Sequence, residues 1–170
     1  MNQKELELYV HIPFCVKKCS YCDFLSAPAT EQTKEAYMAA LFAEIGGRAK
    51  DYKDRIVTSV FIGGGTPSLL SGDSIRQLME HIREGFSLAL DAEITMEVNP
   101  GTVTAEKLTA FYGAGINRLS IGMQSAQEQE LKILGRIHDF DGFCQVYREA
   151  VEAGFTNINV DVMSGLPGQT

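Results

Sequence analysis

Three cysteines lie close together near the start of the chain, at Cys15, Cys19 and Cys22. Their spacing is C-x3-C-x2-C, and the remaining cysteine, Cys144, is distant in the sequence. Such clustering favours metal or redox chemistry over a secreted disulfide framework, which spreads its cysteines through a short chain. Three thiolates on one loop can hold an iron–sulfur cluster and leave one iron without a protein ligand. That iron could chelate a small molecule through an amine and a carboxylate.

The same thiols allow other interpretations. A structural zinc site would need a fourth ligand, for which His11 is the only close candidate. His11 lies on a predicted strand shortly before the rigid Pro13, which limits the reach of its side chain. Incidental buried thiols are a further alternative, and the regular spacing directly after a strand argues against it. Cys144 is expected to pack as a small apolar residue in a helix.

A glycine-rich turn is the second candidate site. Residues 63–67 read Gly-Gly-Gly-Thr-Pro and follow a strand-like run. Glycines let a backbone approach a ligand closely, so Gly64, Gly65 and the Thr66 hydroxyl are candidate contacts. The turn lacks the Lys-Ser/Thr of a phosphate-binding loop and the spacing of a dinucleotide-binding loop. A tight strand-to-helix turn without a ligand is an equal interpretation.

Polar side chains also collect at the ends of later strands. Glu97, Gln124 and Asp161 fall at or just past the ends of the third, fourth and fifth predicted strands. Ionised carboxylates deep in a fold are costly unless they are paired. Ribose hydroxyls, an ammonium group or Arg136 would satisfy them.

Short apolar runs alternate with amphipathic segments along the whole chain. The pattern predicts five strands, at 8–12, 57–62, 93–98, 118–122 and 157–163. It predicts four helices, from 30–33 to Gly46-Gly47, from about 73, from 104, and over 140–153. This alternation indicates an α/β fold with a parallel sheet and right-handed crossovers. Sites in such folds lie at the carboxyl ends of the strands, where the candidate residues collect.

Length, composition and charge limit the class of protein. The chain has 170 residues, of which 45% are hydrophobic and 22% charged, as in one globular domain. A full β/α barrel has roughly 250 residues, so we expect residues 1–170 to be the N-terminal part of a longer protein. The net charge of −7 argues against binding to nucleic acid. No apolar run approaches membrane-spanning length and no signal peptide is evident, so a cytoplasmic protein is expected.

The cysteine loop resembles that of the radical S-adenosylmethionine (SAM) superfamily. That signature is C-x3-C-x2-C with an aromatic residue before the last cysteine, here Tyr21. Further stretches are similar to one branch, the coproporphyrinogen III dehydrogenase-like and HemW-like proteins. They span nearly the whole chain in order and are residues 9–15, 61–68, 97–102, 117–125, 134–138 and 159–170.

The resemblance implies part of a TIM-like (β/α)6 barrel that holds a [4Fe-4S] cluster on the three clustered cysteines. It also implies SAM as cosubstrate, with its methionine portion near the glycine turn and its carboxylate on Arg136. The SAM contacts carried over from the family are Tyr9, Glu97, Gln124, Arg136 and Asp161. In this chemistry a reduced cluster passes one electron to SAM, which breaks into methionine and a 5′-deoxyadenosyl radical. His138 either caps the next helix or takes part in catalysis.

Two functions fit the resemblance. One is an oxidative decarboxylase of coproporphyrinogen in heme synthesis, and the other is a chaperone that binds heme and delivers it to hemoproteins. The dehydrogenase branch typically continues its third cysteine with Gly-Cys, whereas Cys22 is followed here by Asp23 and Phe24. The short stretch before the first strand also favours the chaperone. Its heme contacts are expected in a C-terminal region beyond these residues.

Overall fold

The computed structural model describes residues 4–169, which form one parallel sheet flanked by helices. Residues 1–3 and Thr170, the last residue of the 159–170 stretch, lie outside the described residues. The strands are β1 (Lys4–Ile12), β2 (Arg55–Gly64), β3 (Leu88–Val98), β4 (Arg118–Gln124) and β5 (Asn157–Val162). The helices are α1 (Glu31–Ala49), α2 (Gly72–Gly85), α3 (Ala105–Gly113), α4 (Glu128–Leu134) and α5 (Phe140–Glu152).

The five strands lie side by side in chain order, and every neighbouring pair is parallel. This confirms the predicted α/β fold with a parallel sheet. Crossovers of one hand between adjacent strands bring α1, α2, α3 and α5 to the same face. Accordingly α1 packs on α2, α2 on α3, and α3 on α5.

The two faces of the sheet differ in chemistry because successive side chains of a strand point to opposite sides. Under the helices the strands place fully buried apolar side chains such as Ile12, Ile62 and Met96. The opposite face carries Glu97 on β3, which is paired in register with Ser120 on β4. The apolar face supplies most of the core, and the polar face leaves hydrogen-bonding groups available to a site.

Side-chain caps define where the helices begin. Thr30 and Ser71 accept a hydrogen bond from the backbone N–H three residues later, as do Thr104 and Asp139. Within the predicted start at 30–33, Thr30 and not Thr33 is the cap of α1, because Thr33 donates its backbone N–H to Thr30. His138 does not cap α5, since Asp139 fills that role.

Two helix predictions were wrong. Helix α1 continues through Gly46 and Gly47 to residue 49, because the buried Ile45 and Ala49 on either side anchor its last turns. Helix α4, at Glu128–Leu134, was not predicted: it has seven residues and no side-chain cap at Gln127. Across residues 4–169 there is no helix with the length and hydropathy needed to cross a membrane.

Candidate functional site

A cavity opens at the carboxyl ends of the strands, where the cysteine loop after β1 faces β3, β4 and β5. It brings together every residue that the sequence analysis expected to contact the cluster or SAM, except Tyr9. These lining residues are Cys15, Cys19, Cys22, Gly64, Gly65, Thr66, Glu97, Gln124, Arg136 and Asp161. Parallel strands of one sheet end at the same edge, which is why positions distant in the chain meet here.

Backbone hydrogen bonds at both ends fix the cysteine loop. The N–H of Cys15 donates to Ala27 O at 3.1 Å, and the N–H of Ser20 donates to Leu134 O at the end of α4, at 3.0 Å. The three loop cysteines are free thiols and half-buried. The Thr66 hydroxyl lies 3.6 Å from the Sγ of Cys15, which connects the loop to the glycine turn.

His11 is engaged elsewhere and does not join these thiols. Its Nδ1 lies 3.0 Å from the Tyr9 hydroxyl and its Nε2 lies 2.9 Å from the carbonyl oxygen of Leu25. Within residues 4–169 no three His, Cys, Asp or Glu side chains converge closely enough to hold a single metal ion. Both observations argue against the zinc alternative. A cuboidal cluster is wider than one ion, so its thiolates need not converge on one point.

The glycine turn approaches the β1 backbone too closely for any side chain. A Cβ on Gly65 would lie 2.6 Å from the carbonyl oxygen of Phe14, and Gly64 has a left-handed φ of +115°. The N–H of Gly65 donates to Ile12 O, and that of Thr66 donates to Phe14 O. The amide groups of these two residues are therefore engaged within the protein, and contacts of Gly64, Gly65 and the Thr66 hydroxyl with a ligand stay predictions.

Glu97 receives the remaining amide of the turn. The N–H of Gly64 donates to Glu97 Oε2 at 2.9 Å. Burial raises the pKa of Glu97, the Gly64 hydrogen bond opposes this shift, and the negative charge of Asp161 adds to it. Glu97 forms no ion pair with any residue in the range 4–169. A cationic or hydroxyl-bearing ligand would therefore lower the free-energy cost of burying the Glu97 carboxylate without a charged partner.

Asp161 on β5 is held by two neutral neighbours that the sequence analysis did not select. Ser120 donates its hydroxyl to the Asp161 carboxylate at 3.1 Å, and the Asn159 amide donates to it at 2.6 Å. The same amide also donates to Ser120 Oγ at 3.0 Å. Strand alternation signals this cluster, because Asn159 and Asp161 share a face and Ser120 is in register with Asn159.

Arg136 connects the thiol loop to the end of β4. Its Nη2 donates to Gly122 O at 2.6 Å, while Nη1 lies 3.4 Å from the Tyr21 hydroxyl and 3.9 Å from the Sγ of Cys19. It does not pair with Glu97 or Asp161, contrary to one expectation above. Its Nε is buried and has no hydrogen-bond partner in the described part of the chain. A buried donor in this state is costly, and Arg136 lines the cavity, so it is a candidate contact for an acceptor that binds there.

The family follows from comparison of the whole sequence with known proteins. A family model of the radical SAM superfamily matches residues 9–170. This chain belongs to the radical SAM superfamily.

Several proteins similar to this radical SAM chain are known. It is 46% identical to the heme chaperone HemW of Escherichia coli (strain K12) over 97% of this chain and 44% of HemW. It is 38% identical to the oxygen-independent coproporphyrinogen III oxidase of Salmonella typhimurium (strain LT2), over 99% of this chain and 37% of the oxidase. The solved structure of the E. coli coproporphyrinogen III oxidase HemN matches with a TM-score of 0.90 at 37% identity, over 99% of this chain and 39% of HemN.

These similarities confirm the predicted superfamily, its HemW-like and HemN-like branch, and the TIM-like radical SAM fold. The chain spans less than half the length of the relatives that it matches. The comparisons therefore relate this cavity only to the matched part of those relatives.

The residues of the cavity are compatible with the two groups that radical SAM proteins use. Three free thiols on one loop are the donor set of an iron–sulfur cluster with one open iron. The unsatisfied Nε of Arg136 and the ligand-sized space beside Glu97 and Asp161 suit a zwitterionic nucleoside ligand.

Tyr9 lies on the same face of the sheet but does not line the cavity. Its side chain is 62% exposed and stacks on Phe61, with ring centroids 6.2 Å apart. Burial and the negative charge of Glu97 raise the pKa of its phenol. A direct contact of Tyr9 with SAM stays a prediction.

Proposed function

We propose that this chain is the N-terminal, cluster- and SAM-binding part of a heme chaperone similar to HemW. In this proposal Cys15, Cys19 and Cys22 hold a [4Fe-4S] cluster, and SAM occupies the adjoining space. When bound, the cluster would supply the electron for reductive cleavage of SAM. The protein's own contribution is to bind and orient SAM and to exclude water from it.

One observation carries the cofactor part of the proposal. The Arg136 guanidinium lies beside Cys19 while its buried Nε remains without a partner among residues 4–169. Arginine suits carboxylates through paired N–H donors, so the methionine carboxylate of SAM is the acceptor that fits. Glu97, Gln124 and Asp161 lie on the other strand ends around the same space and would bind the hydroxyls and amine of the ligand.

The chaperone is favoured over an enzyme of porphyrin synthesis by residues on the loop itself. Asp23 follows Cys22 where coproporphyrinogen dehydrogenases typically have Gly-Cys, and Asp23 is exposed beside the cavity. The identity of 46% to a heme chaperone, against 38% to an oxidase, points the same way. In this role the partners are heme and a recipient hemoprotein, and the free thiols suit a reducing compartment, for which we propose the cytoplasm.

The second candidate is an oxygen-independent coproporphyrinogen III oxidase. The match to HemN, with a TM-score of 0.90, supports it because the whole described sheet and its loops share that backbone. Coproporphyrinogen would then take the place of heme as the tetrapyrrole partner.

Anaerobic reconstitution with iron and sulfide tests the cluster. The protein at its natural length should take up about four irons per chain, with broad visible absorbance. Cys19→Ser should lose both signals. Cys144→Ser is the matched control, because Cys144 lies on α5, packed against the core and away from the cavity. Uptake of one zinc and no iron by the unaltered protein would overturn the proposal.

Incubation of the same protein with coproporphyrinogen III, SAM and a reductant separates the two functions. Decarboxylated product would establish the oxidase. Tight heme binding, without product and with transfer of heme to an apo-hemoprotein, would establish the chaperone. Absence of both, in protein that holds its cluster, would reject both candidates.

A further inference from the structure

Strand β4 ends in an irregular backbone that the SAM proposal leaves unexplained. Its pairing with β5 shifts register between Gly122 and Gln124. Gln124 has φ +67°, and it is the one non-glycine residue in the left-handed region among residues 4–169. That conformation is costly for a residue with a Cβ, so neighbouring contacts must maintain it.

The shift releases two carbonyl groups from the sheet, and both are bound by the segment that follows α4. Gly122 O accepts from Arg136 Nη2 at 2.6 Å. Met123 O accepts from His138 Nε2 at 3.2 Å and from the N–H of Ser125 at 2.9 Å. Residues 136 and 138 thus bind consecutive carbonyls of β4, immediately before the left-handed residue.

The left-handed turn sets the direction of the Gln124 side chain. Its amide nitrogen lies 2.9 Å from where a Cβ on Gly122 would stand, so the side chain folds back over Gly122 toward Arg136. If residue 124 had an extended backbone, its side chain would point in a different direction. The presence of Gln124 in the cavity lining therefore depends on the bend.

His138 is suited to hold this bend without charge. Since a carbonyl oxygen is its partner, Nε2 carries the proton, and the buried Nδ1 has no partner within the described residues. Burial, with the positive charge of Arg136 adding to it, lowers the pKa of His138 to about 4, while the hydrogen bond to Met123 and then the charge of Asp139 oppose the shift. The ring is therefore neutral at physiological pH and does not repel Arg136.

We propose that His138 is a positioning residue for SAM, which fixes the bend at Met123 and so directs Gln124 into the cavity. The inference rests on the proposed function, because it gives Gln124 the role of a SAM contact. The net stabilisation from one hydrogen bond is similar in size to the cost of a left-handed residue. We therefore expect loss of the His138 bond to let the strand end straighten, although Ser125 N–H still donates to Met123 O.

Four variants of the reconstituted protein at natural length test the coupling. His138→Leu keeps much of the volume and removes the donor, whereas His138→Gln places an amide N–H near the original Nε2. We expect His138→Leu and Gln124→Ala each to weaken SAM binding about tenfold in equilibrium dialysis, and His138→Gln less than about threefold. The double variant, His138→Leu with Gln124→Ala, should bind SAM at least as tightly as whichever single variant binds SAM more weakly.

Losses that multiply in the double variant would overturn the inference, because the two residues would then act independently. Equal losses for His138→Leu and His138→Gln would also overturn it. If the leucine variant does not fold, His138→Asn replaces it, since its amide is too short to reach Met123 O.

A readout without ligand separates this inference from the proposed function. Crystal structures of the unaltered protein and of His138→Leu, both without SAM, give the φ of Gln124 directly. A left-handed Gln124 that turns extended in the variant supports the inference even if SAM does not bind. A left-handed Gln124 in both structures rejects it even if SAM does bind.

Discussion

The guanidinium Nη1 of Arg136 lies 3.9 Å from the Sγ of Cys19, although 117 positions separate the two residues in the chain. Through Nη2 the same side chain binds Gly122 O, at the end of β4. One arginine therefore touches both the proposed cluster loop and the strand end that borders the proposed SAM space. A substitution in the loop should therefore affect the end of β4, and a substitution at the end of β4 should affect the loop.

Substitution of Arg136 should weaken SAM binding. Arg136→Lys retains the charge but loses the planar set of donors that serves Gly122 O and a ligand carboxylate together. We expect a loss of about 10- to 100-fold in SAM affinity, measured by equilibrium dialysis on reconstituted protein. Arg76→Lys, in an exposed ion pair on α2, is the matched control and should leave the affinity unchanged. An Arg136→Lys protein with the original affinity would contradict the assignment.

Glu97→Gln should stabilise the cofactor-free protein at neutral pH. Burial raises the pKa of Glu97 above its unfolded value, so the folded state binds more protons than the unfolded state in the interval between the two values. Stability is therefore lost as pH rises through that interval, and the neutral amide avoids the loss. Urea unfolding should show a gain for the variant at pH 7 and none at pH 4. The same variant should bind SAM more weakly. A gain of equal size at both pH values would show that charge is not the cause.

Alanine at Gly65 should destabilise the fold. Its Cβ would meet two backbone carbonyl oxygens, those of Phe14 at 2.6 Å and Ile12 at 2.9 Å, and neither can rotate away. We expect a loss of about 1–3 kcal/mol in the free energy of unfolding. In the control Gly47→Ala, the Cβ would meet no other part of the described chain within 4 Å, and that helical position should gain about 0.5–1 kcal/mol. Equal effects of the two substitutions would contradict the close approach seen at Gly65.

His138 should make the protein less stable in mild acid. The folded-state pKa of about 4 lies below the unfolded value, so the unfolded state takes up more protons as pH falls from about 6.5 to 4. The contribution lost over that range is about 2 kcal/mol, after allowance for the partial exposure of the ring. Thermal unfolding against pH should show a shallower acid slope for His138→Gln. Parallel curves for the two proteins would show that His138 titrates normally.

The sequence was sufficient to predict the order of the five strands and of four helices, and the edge of the sheet at which the site lies. Strand ends are marked by abrupt changes from apolar to polar residues, as after Val98, where Asn99 follows. Helix α4 was missed because a seven-residue segment shows too little periodicity. The glycine pair was expected to end α1, but the packing of Ile45 and Ala49 outweighs the low helix propensity of glycine.

Within the site, the composition was predictable and the hydrogen-bond partners were not. The cysteines, Glu97 and Asp161 are conspicuous by residue type and spacing. Arg136 was expected to pair with carboxylates, but it binds a backbone carbonyl that only the register shift at Gly122 makes available. The left-handed Gln124 carries no local signal, because its conformation is imposed by contacts from a segment more than ten residues later.

The strands lie in the sheet in the order in which they are synthesised. The residues that line the cavity therefore leave the ribosome at different times. The three thiols emerge in the first unit, yet the Leu134 carbonyl that accepts the Ser20 amide belongs to the fourth. A nascent chain that has emerged only as far as β3 presents its thiols without the backing of α4 or Arg136. If the loop holds the proposed cluster, iron delivered at that stage would meet a loop with one side open, so we expect loading only after residue 136 has left the ribosome.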